Sequence, residues 1–346
     1  MATRGIQIGI IGTGWIGEIR AKVCAAHPLV EGVHLAEIDQ ARLARVAKET
    51  GARTATTDYR ELLRRKEIDA IIVASTPEQT HYPFTRDCLI ARKHTLLEKP
   101  MGLKLKEADE LMALARDAGL KLTIGYTQRF NPKYAYVKQC VVDGTIGRPV
   151  TALVSRNVSR SIGNKVGGRV RLSPAVMEAT HDIDFILWCL EGLRPTRVYA
   201  QSVYRIMQQA HGVPDCTWIM VTMEDGTVFT IGAGWTLPPG YPHFSMATIE
   251  FVATEGALLI DDSHRDILLN TMQKGMVLPL STMPGERVGH VYQGPMEAET
   301  IHFIEAVALD RPLLVTPEQA RQVMEVTLAA DISAERNEPV DLPLEP

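Results

Sequence analysis

Three glycines near the amino terminus are spaced for a tight turn between a strand and a helix. Gly12, Gly14 and Gly17 form a GxGxxG pattern that directly follows the apolar run Ile6–Ile11. In such a turn the first glycine permits the bend, the second lets a phosphate approach the backbone, and the third allows close helix packing. The helix that begins there presents unpaired N–H groups to an anion. We therefore predict that this turn binds a dinucleotide through Gly12, Thr13, Gly14, Trp15, Ile16 and Gly17.

An acidic residue follows the second predicted strand, where the ribose of such a dinucleotide would lie. Glu37 comes 20 residues after the last glycine, near the end of the predicted strand Val33–Ile38. Its carboxylate would accept both ribose hydroxyls and would repel a 2′-phosphate. The next residues offer no cation, and Arg42 lies one turn into the following helix. We therefore expect NAD as the cofactor, in preference to NADP.

Two further side chains could handle a proton. Lys99 follows a short apolar strand, and ligands of open α/β sheets bind at the carboxyl ends of strands. It is either a group that bonds a substrate hydroxyl or an ordinary surface lysine. His181 lies on an apolar helix with Glu178 and Asp184 three residues away. It is either a general acid–base group or a buried structural histidine. No metal site is predicted, because the HDID sequence lacks ligand spacing and a third ligand.

The order of the elements predicts how these side chains are positioned. Up to residue 125, short apolar strands alternate with helices, which is typical of βαβ crossovers and a doubly wound parallel sheet. Beyond it, longer strands occur together, with helices at Pro174–Leu190 and near 296–309 and 317–335. This pattern favours an α+β domain with a large, mostly antiparallel open sheet. We expect an N-terminal Rossmann domain over 1–125 and a substrate-binding and oligomerisation domain over 126–346. The C-terminal helices either stay within this second domain or pack back on the first.

Length and composition exclude several classes of protein. The chain has 346 residues, of which 45% are hydrophobic and 23% charged, as in a globular protein of about two domains. A formal net charge of −4 argues against binding to nucleic acid or to an anionic membrane. No apolar run reaches the roughly 20 residues of a membrane helix. The five widely spaced cysteines predict reduced thiols in the cytoplasm, without a disulfide framework.

Several motifs, taken in order along the chain, resemble the Gfo/Idh/MocA oxidoreductase family, whose name covers glucose–fructose oxidoreductase and inositol dehydrogenase. They are GIIGTGWIG at 9–17, STPEQTH at 75–81, LLEKPM at 96–101, GYTQRFNP at 125–132, THDID at 180–184 and the closing FIEAVALDRPLLVTPEQARQVMEV. The resemblance implies a Rossmann domain followed by a domain whose open sheet commonly forms an oligomer interface. It also implies hydride transfer between NAD or NADP and a secondary alcohol or ketone of a sugar, cyclitol, sugar acid or related compound.

The resemblance assigns roles to single residues. Lys99 is similar to the family lysine that contacts the reacting hydroxyl, and His181 is similar to its catalytic histidine. Substrate contacts are expected for Lys99, Arg129, Glu178 and His181. Cofactor contacts beyond the glycine turn and Glu37 are expected for Ser75, Thr76, Pro77, His81, Glu98, Lys99 and Gln128.

One position departs from the family pattern. Many family dehydrogenases carry an aspartate four residues before the catalytic histidine, and Met177 occupies that position here. Either Glu178 replaces the aspartate from the adjacent position, or His181 works with Asp184 alone, or the catalytic dyad is altered.

A stretch before the histidine helix is strongly basic. Between Thr145 and Met177 there is no acidic residue, and three glycines, at 163, 167 and 168, lie in its middle. Its basic residues are Arg148, Arg156, Arg160, Lys165, Arg169 and Arg171. The stretch is either a mobile loop that closes over an anionic substrate or a solvated surface loop or subunit contact.

The sequence is compatible with three functions. The first is an NAD-dependent dehydrogenase or reductase with a small polyol or sugar-like substrate. The second is an NAD-using enzyme without net redox, in which transient oxidation enables elimination, epimerisation or glycoside cleavage. The third is an NAD-binding regulator without catalysis. In each case we expect a homodimer or homotetramer formed through the C-terminal sheet, with no nucleic-acid or membrane partner.

Overall fold

Contacts divide the chain into two compact units. The computed structural model describes residues 5–241, 245–262, 269–273, 275–277, 287–289 and 291–345. The first unit comprises 1–131 and 282–321, and the second comprises 132–281 and 322–346. Among the helices of the described ranges, none has the length and apolarity to cross a membrane.

The first unit is built on a six-stranded parallel sheet. Its strands are β1 (Ile6–Ile11), β2 (Val30–Ala36), β3 (Thr54–Thr56), β4 (Ala70–Val73), β5 (His94–Leu97) and β6 (Leu122–Ile124). They are ordered β3-β2-β1-β4-β5-β6, and all their pairings are parallel. The chain reverses direction across the sheet between β1 and β4, and ligands bind at such a switch point. The predicted doubly wound sheet is confirmed.

Eleven α-helices occur in the described residues. They are α1 (Trp15–Ala26), α2 (Gln40–Thr50), α3 (Tyr59–Arg64), α4 (His81–Ile90), α5 (Leu105–Ala118), α6 (Pro132–Val142), α7 (Arg160–Gly167), α8 (Thr180–Cys189), α9 (Ile206–His211), α10 (Pro295–Ala308) and α11 (Pro317–Arg336). Helices α2 and α5 end at Gly51 and Gly119, which adopt the left-handed conformation at the C-caps.

A returning segment completes the core of the first unit. Phe303 and Ile304 of α10 are fully buried against Ile8, Ile10 and other apolar side chains of the parallel sheet. At roughly 1.5–3 kcal/mol for each large apolar side chain, such burial contributes substantially to stability. Helix α10 is therefore a structural component of the first unit, although it lies far along the chain from the parallel strands.

The second unit contains a seven-stranded sheet. In the described residues from 149 onward, the strands are β7 (Pro149–Ser159), β8 (Pro195–Val203), β9 (Cys216–Met223), β10 (Val228–Leu237), β11 (Ser245–Ala253), β12 (Ala257–Asp261), β13 (Leu269–Thr271), β14 (Gly275–Val277), β15 (Arg287–Val288), β16 (Val291–Tyr292) and β17 (Val340–Asp341). Of these, β15 and β16 belong to the first unit. The sheet order is β12-β11-β7-β10-β9-β8-β17, with only β7 and β10 parallel among its pairs. The predicted mostly antiparallel sheet is confirmed.

The basic stretch is largely regular structure, so its interpretation as a mobile or solvated loop was wrong for residues 149–167. These residues form β7 and α7. A Cβ added to Gly163 would lie 2.6 Å from the Trp235 side chain. The glycine therefore permits close packing of α7 against β10, where the sequence had indicated flexibility.

The predicted helix Pro174–Leu190 changes its hydrogen-bonding pattern partway along. Residues Ala175–Ala179 form a π-helical turn, and α8 continues from Thr180. Such turns are rare and occur frequently at functional sites. This turn lies immediately before His181.

Candidate active site

The glycine turn has the shape of a phosphate-binding site. Gly12 has a φ of +86°, and a Cβ there would lie 2.8 Å from the Ala74 carbonyl oxygen. A Cβ on Gly17 would lie 1.9 Å from the Gly12 carbonyl oxygen, so neither position accepts a side chain. Around Gly14 an added Cβ meets no heavy atom within 4 Å. Helix α1 begins beside that open space without a side-chain cap, which suits a phosphate.

Glu37 lies directly after β2 and is already bonded to the glycine turn. The backbone N–H and the hydroxyl of Thr13 donate to Glu37 Oε2, at 2.8 and 3.1 Å. The N–H of Asp39 donates to Oε1 at 3.0 Å, and Arg42 donates to Oε2 at 3.3 Å. Burial raises the pKa of Glu37, but these N–H donors and Arg42 lower it overall. Glu37 is therefore an ionised carboxylate at the end of β2, beside the glycine turn.

The segment after β4 forms a second wall at the carboxyl edge of the sheet. Ser75 is buried and its hydroxyl lies 2.7 Å from that of Thr80, while Thr76 and Pro77 are exposed. His81 is buried, with its two ring nitrogens on backbone carbonyls. Both ring nitrogens of His81 thus contact the protein itself. A contact between His81 and the cofactor stays a prediction.

Lys99 follows β5 and is half-buried beside a buried network of charges. Arg20, which is 0% exposed, donates from Nε to Glu98 Oε1 at 2.7 Å. Its Nη2 donates to Glu299 Oε2 at 2.6 Å and its Nη1 to the Thr300 hydroxyl at 2.9 Å. Burial disfavours the charged guanidinium, but Glu98 and Glu299 raise the pKa of Arg20. Glu98, the residue before Lys99, is therefore held by Arg20 of α1, and Arg20 is itself bonded to α10.

Arg20 was missed in the sequence analysis. The available signal was a charged residue on the inner face of α1, between the buried Ile19 and Ala21. A fully buried arginine is rare unless it is paired, so this position predicts an acidic partner but does not identify it.

Gln128 and Arg129 follow β6 on a 3₁₀ turn, Thr127–Phe130. The buried Oε1 of Gln128 has no hydrogen-bond partner among the described residues, so it offers an acceptor to a ligand. Arg129 is 2% exposed and donates to the Leu314 carbonyl at 3.1 Å and to Gln319 Oε1 at 2.7 Å. Its contacts hold the returning segment, and a substrate contact by Arg129 stays a prediction.

In the second unit, His181 is half-buried near the start of α8. The carboxylate of its neighbour Asp182 is paired with an arginine of the sheet. Arg156 of β7 donates to both Asp182 oxygens, from Nε and Nη2, at 2.6 Å each. Asp182 is 0% exposed and Arg156 is 7% exposed. This bidentate pair joins the histidine helix to the sheet.

Glu178 and Met177 occupy different surroundings on the π turn. The Trp235 indole N–H donates to Glu178 Oε1 at 2.8 Å. Met177 is buried in an apolar cluster with Val158 and Trp235. Of the two acidic neighbours predicted for His181, Glu178 thus has a defined partner on β10, and Asp184 is fully buried.

Each unit supplies chemistry of one kind. The first carries a glycine turn whose shape suits a phosphate, an ionised carboxylate, an amide oxygen without a hydrogen-bond partner among the described residues, and a lysine at the carboxyl edge of the parallel strands. The second carries a histidine on a helix fixed to its sheet. Within the described ranges, no group of three or more His, Cys, Asp or Glu side chains could hold a metal ion. The residues of the first unit fit a bound dinucleotide.

Comparisons with curated proteins identify relatives over nearly the whole chain. The chain is 34% identical to the dTDP-3,4-didehydro-2,6-dideoxy-α-D-glucose 3-reductase of Streptomyces antibioticus, over 89% of this chain and 98% of that protein. It is 24% identical to the myo-inositol 2-dehydrogenase of Thermotoga maritima, over 97% and 98%. It is 25% identical to the NAD(+) scyllo-inositol 2-dehydrogenase of Bacillus subtilis, over 97% and 96%.

Solved structures show the same fold. A scyllo-inositol dehydrogenase from Lactobacillus casei, solved with NAD(H) and scyllo-inositol, matches with a TM-score of 0.83 and 24% identity, covering 98% of this chain and 99% of that one. Residues 6–126 match the oxidoreductase family with an NAD-binding Rossmann fold, and residues 134–259 match the GFO/IDH/MocA C-terminal domain. The predicted family is confirmed: the chain belongs to the Gfo/Idh/MocA oxidoreductase family.

Proposed function

We propose that the chain is an NAD-dependent dehydrogenase that acts on a secondary alcohol of a cyclitol, a sugar or a related polyhydroxylated compound. The observation that carries this proposal is the fixed position of Lys99. It follows β5 at the same sheet edge as the glycine turn, and its neighbour Glu98 is held by the buried Arg20. The relatives named above, which include inositol dehydrogenases and a reductase of a nucleotide-linked sugar, support the substrate class.

The reaction divides between two reacting side chains. NAD, when bound, supplies the acceptor for the hydride. Lys99 donates a hydrogen bond to the substrate hydroxyl and orients the carbon that loses hydride. His181 takes the hydroxyl proton during oxidation and returns it during reduction. Glu178, fixed by Trp235, is proposed to contact the substrate.

NAD is proposed as the preferred cofactor because Glu37 is ionised and buried. Its carboxylate accepts ribose hydroxyls and would oppose the charge of a 2′-phosphate. Arg42 lies 3.3 Å from both Glu37 and Asp39, so two carboxylates offset the one nearby cation. Gln128 is proposed to receive a donor from the cofactor at its orphan Oε1.

The test is a screen for NADH formation with purified full-length protein. The panel contains NAD or NADP with myo-inositol, scyllo-inositol, simple sugars, sugar acids, cis-dihydrodiols and nucleotide-linked sugars. We expect stoichiometric NADH with at least one cyclitol or sugar, and faster reduction of NAD than of NADP. Substrate conversion without NADH release would identify an enzyme without net redox. NAD binding without conversion of any compound would contradict the proposal.

We also propose that two or four copies assemble through the open face of the second sheet. Along the strands, exposed apolar side chains on this face alternate with buried ones on the opposite face. The exposed ones are Leu153, Trp218, Met220, Val252 and Leu259. Monomeric proteins rarely expose a contiguous apolar face of this kind. Light scattering should give a dimer or tetramer, and Trp218→Glu with Met220→Glu should give a monomer. A monomeric wild type would contradict this proposal.

A cytoplasmic location is proposed on the state of the thiols. All five cysteines are free in the structure, and four of them are buried. Unpaired thiols are typical of proteins in a reducing compartment.

A further inference from the structure

His81 is a buried histidine that joins two segments of the first unit. It is the first residue of α4 and is 1% exposed. Its Nδ1 lies 2.8 Å from the carbonyl oxygen of Pro100, and its Nε2 lies 3.0 Å from the carbonyl oxygen of Ser75. Pro100 directly follows Lys99, so the imidazole spans the segment after β4 and the segment after β5.

The two contacts have a requirement that a neutral imidazole cannot meet. A carbonyl oxygen only accepts hydrogen bonds, and a neutral ring has a single N–H. Both contacts are hydrogen bonds only when the ring carries two protons. In the neutral form, one nitrogen lone pair faces a carbonyl oxygen at hydrogen-bond distance.

The charges around the ring act in opposite directions. Burial lowers the pKa of His81, whereas the carbonyls of Pro100 and Ser75 and the carboxylates of Glu78 and Glu98 raise it, with a downward shift overall. Glu78 lies on the 3₁₀ turn before α4, and the charge of Glu98 is shared with Arg20. The doubly bonded form is therefore favoured as the pH falls through this lowered pKa, and one bond is lost as the pH rises through it.

We propose that His81 is a positioning residue that links the carbonyls of Ser75 and Pro100 and thereby fixes the backbone beside Lys99. Together with Arg20, which holds Glu98, it constrains the residues on both sides of the lysine. The inference rests on the proposed function, because the orientation of Lys99 matters only if the lysine contacts a substrate. It gives His81 a role in the rate of hydride transfer that acts through the backbone beside Lys99.

His34 provides a matched control. It is also a buried histidine of the first unit, at 2% exposure, with Nδ1 3.1 Å from the Thr54 hydroxyl and Nε2 2.8 Å from Gln7 Oε1. Because a hydroxyl can either donate or accept, the neutral His34 ring satisfies both contacts. A variant without the His34 ring loses two comparable buried hydrogen bonds, to Thr54 and Gln7. Neither bond contacts the backbone beside Lys99.

The first measurement is hydrogen exchange in the full chain, which needs no substrate. At a pH low enough for the ring to carry both protons, His81→Leu should raise exchange in the segments 74–79 and 96–103 by roughly tenfold each, the scale of one lost hydrogen bond, and His81→Gln should restore part of the protection. His34→Leu should leave both segments as in the wild type. Unchanged exchange in His81→Leu would overturn the proposal. If His81→Leu does not fold, His81→Gln decides by the same criterion.

The second measurement separates positioning from general stability. With a substrate from the panel, His81→Leu should lower kcat about tenfold or more, while the KM for NAD changes by less than about threefold. His34→Leu should lower the melting temperature without this fall in kcat. Equal losses of kcat in the two variants at equal losses of stability would overturn the proposal. If no panel compound reacts even with wild type, the proposed function fails, while hydrogen exchange still decides on the link made by His81.

Nitrogen-15 spectra of the histidine rings provide a third readout. In the wild type, the His81 ring should show two protonated nitrogens at acid pH and one at higher pH. Across the same range, exchange should increase beyond its intrinsic pH dependence in the segment whose carbonyl loses the bond, either 74–79 or 96–103. A ring that titrates without any change in either segment would contradict the link.

Discussion

Lys99 and His181, the two reacting groups of the proposal, are fixed in different ways. Lys99 lies in a segment between β5 and α5, and its neighbours are held by side chains from α1 and α4. His181 lies on a helix, whose backbone bonds already fix its position. The charged groups near it instead join that helix to β7 and β10, through Arg156 and Trp235.

The difference separates two uses of buried polar contacts. A lysine in an irregular segment needs external contacts on both sides to have a defined position. A helical histidine needs only that its helix be fixed to the sheet. Its acidic neighbours Asp182 and Glu178 provide this by bonding to β7 and β10. We therefore expect lost contacts near Lys99 to reduce turnover and lost contacts near His181 to reduce stability.

The largest expected effect is on the stability of the second unit. Arg156→Met leaves Asp182 charged, buried and without its bidentate partner, which should cost roughly 3–5 kcal/mol of unfolding free energy. Chemical denaturation measures the loss, and adding Asp182→Asn should recover part of it. The exposed pair Arg194–Glu224 is the control, since Arg194→Met should cost about 1 kcal/mol or less. Equal losses in the two arginine variants would show that the buried pair is not structural.

Lys99→Ala should reduce turnover with little change in stability. Hydride transfer should fall by about two orders of magnitude or more, because the substrate hydroxyl loses its positioned donor. The affinity for NAD, measured by titration, should stay close to that of the wild type. Lys106→Ala, which removes an exposed lysine at the start of α5, is the control. An active Lys99→Ala enzyme would exclude the lysine from the reaction.

Glu37 tests cofactor choice in the first unit. Glu37→Ser with Ile38→Arg should shift the ratio of kcat/KM toward NADP by roughly ten- to a hundred-fold, the scale of a charged hydrogen bond. Because Glu37 also bonds Thr13, this variant should bind both cofactors more weakly than the wild type binds NAD. Thr13→Val removes the hydroxyl bond alone and should weaken NAD binding without changing the preference. A wild type that prefers NADP would contradict the assignment.

The smallest effect is expected at Trp235. Trp235→Phe removes the indole N–H from Glu178 and should cost about 1.5 kcal/mol of unfolding free energy, because the half-buried carboxylate gains water in its place. Glu178→Gln retains an acceptor for the indole and should cost less. A Trp235→Phe protein as stable as the wild type would mean that this bond does not help to fix the π turn.

The fold was predictable where burial alone decides the element. The parallel strands are short apolar runs, and glycine caps end α2 and α5, so their bounds follow from the sequence to within a few residues. The basic stretch was misinterpreted because a glycine in sequence does not reveal what faces it. At Gly163 the neighbour is Trp235, 72 positions along the chain, so the glycine serves close packing.

The residue types of the candidate site could be predicted from the sequence, but the hydrogen-bond partners of these residues could not. Glu37 and Lys99 lie where the motif and the strand order predict them. Glu178 and the neighbouring Asp182 are near His181 in sequence, yet they accept hydrogen bonds from Trp235 and Arg156, which are distant in sequence. Periodicity gives the face of a helix, but only the packing of the sheet determines which charge a carboxylate meets.

The most direct test of the central claim is single-turnover formation of NADH as a function of pH, in the wild type and in His181→Asn. The substrate is the panel compound that the wild type oxidises best. If His181 is the base, the wild-type rate should fall on the acid side as the ring becomes protonated. The His181→Asn enzyme should still bind NAD. It should oxidise the substrate more slowly than the wild type by about a hundredfold or more, and its rate should show no such fall on the acid side. The same acid limb in His181→Asn, at a comparable rate, would contradict the account.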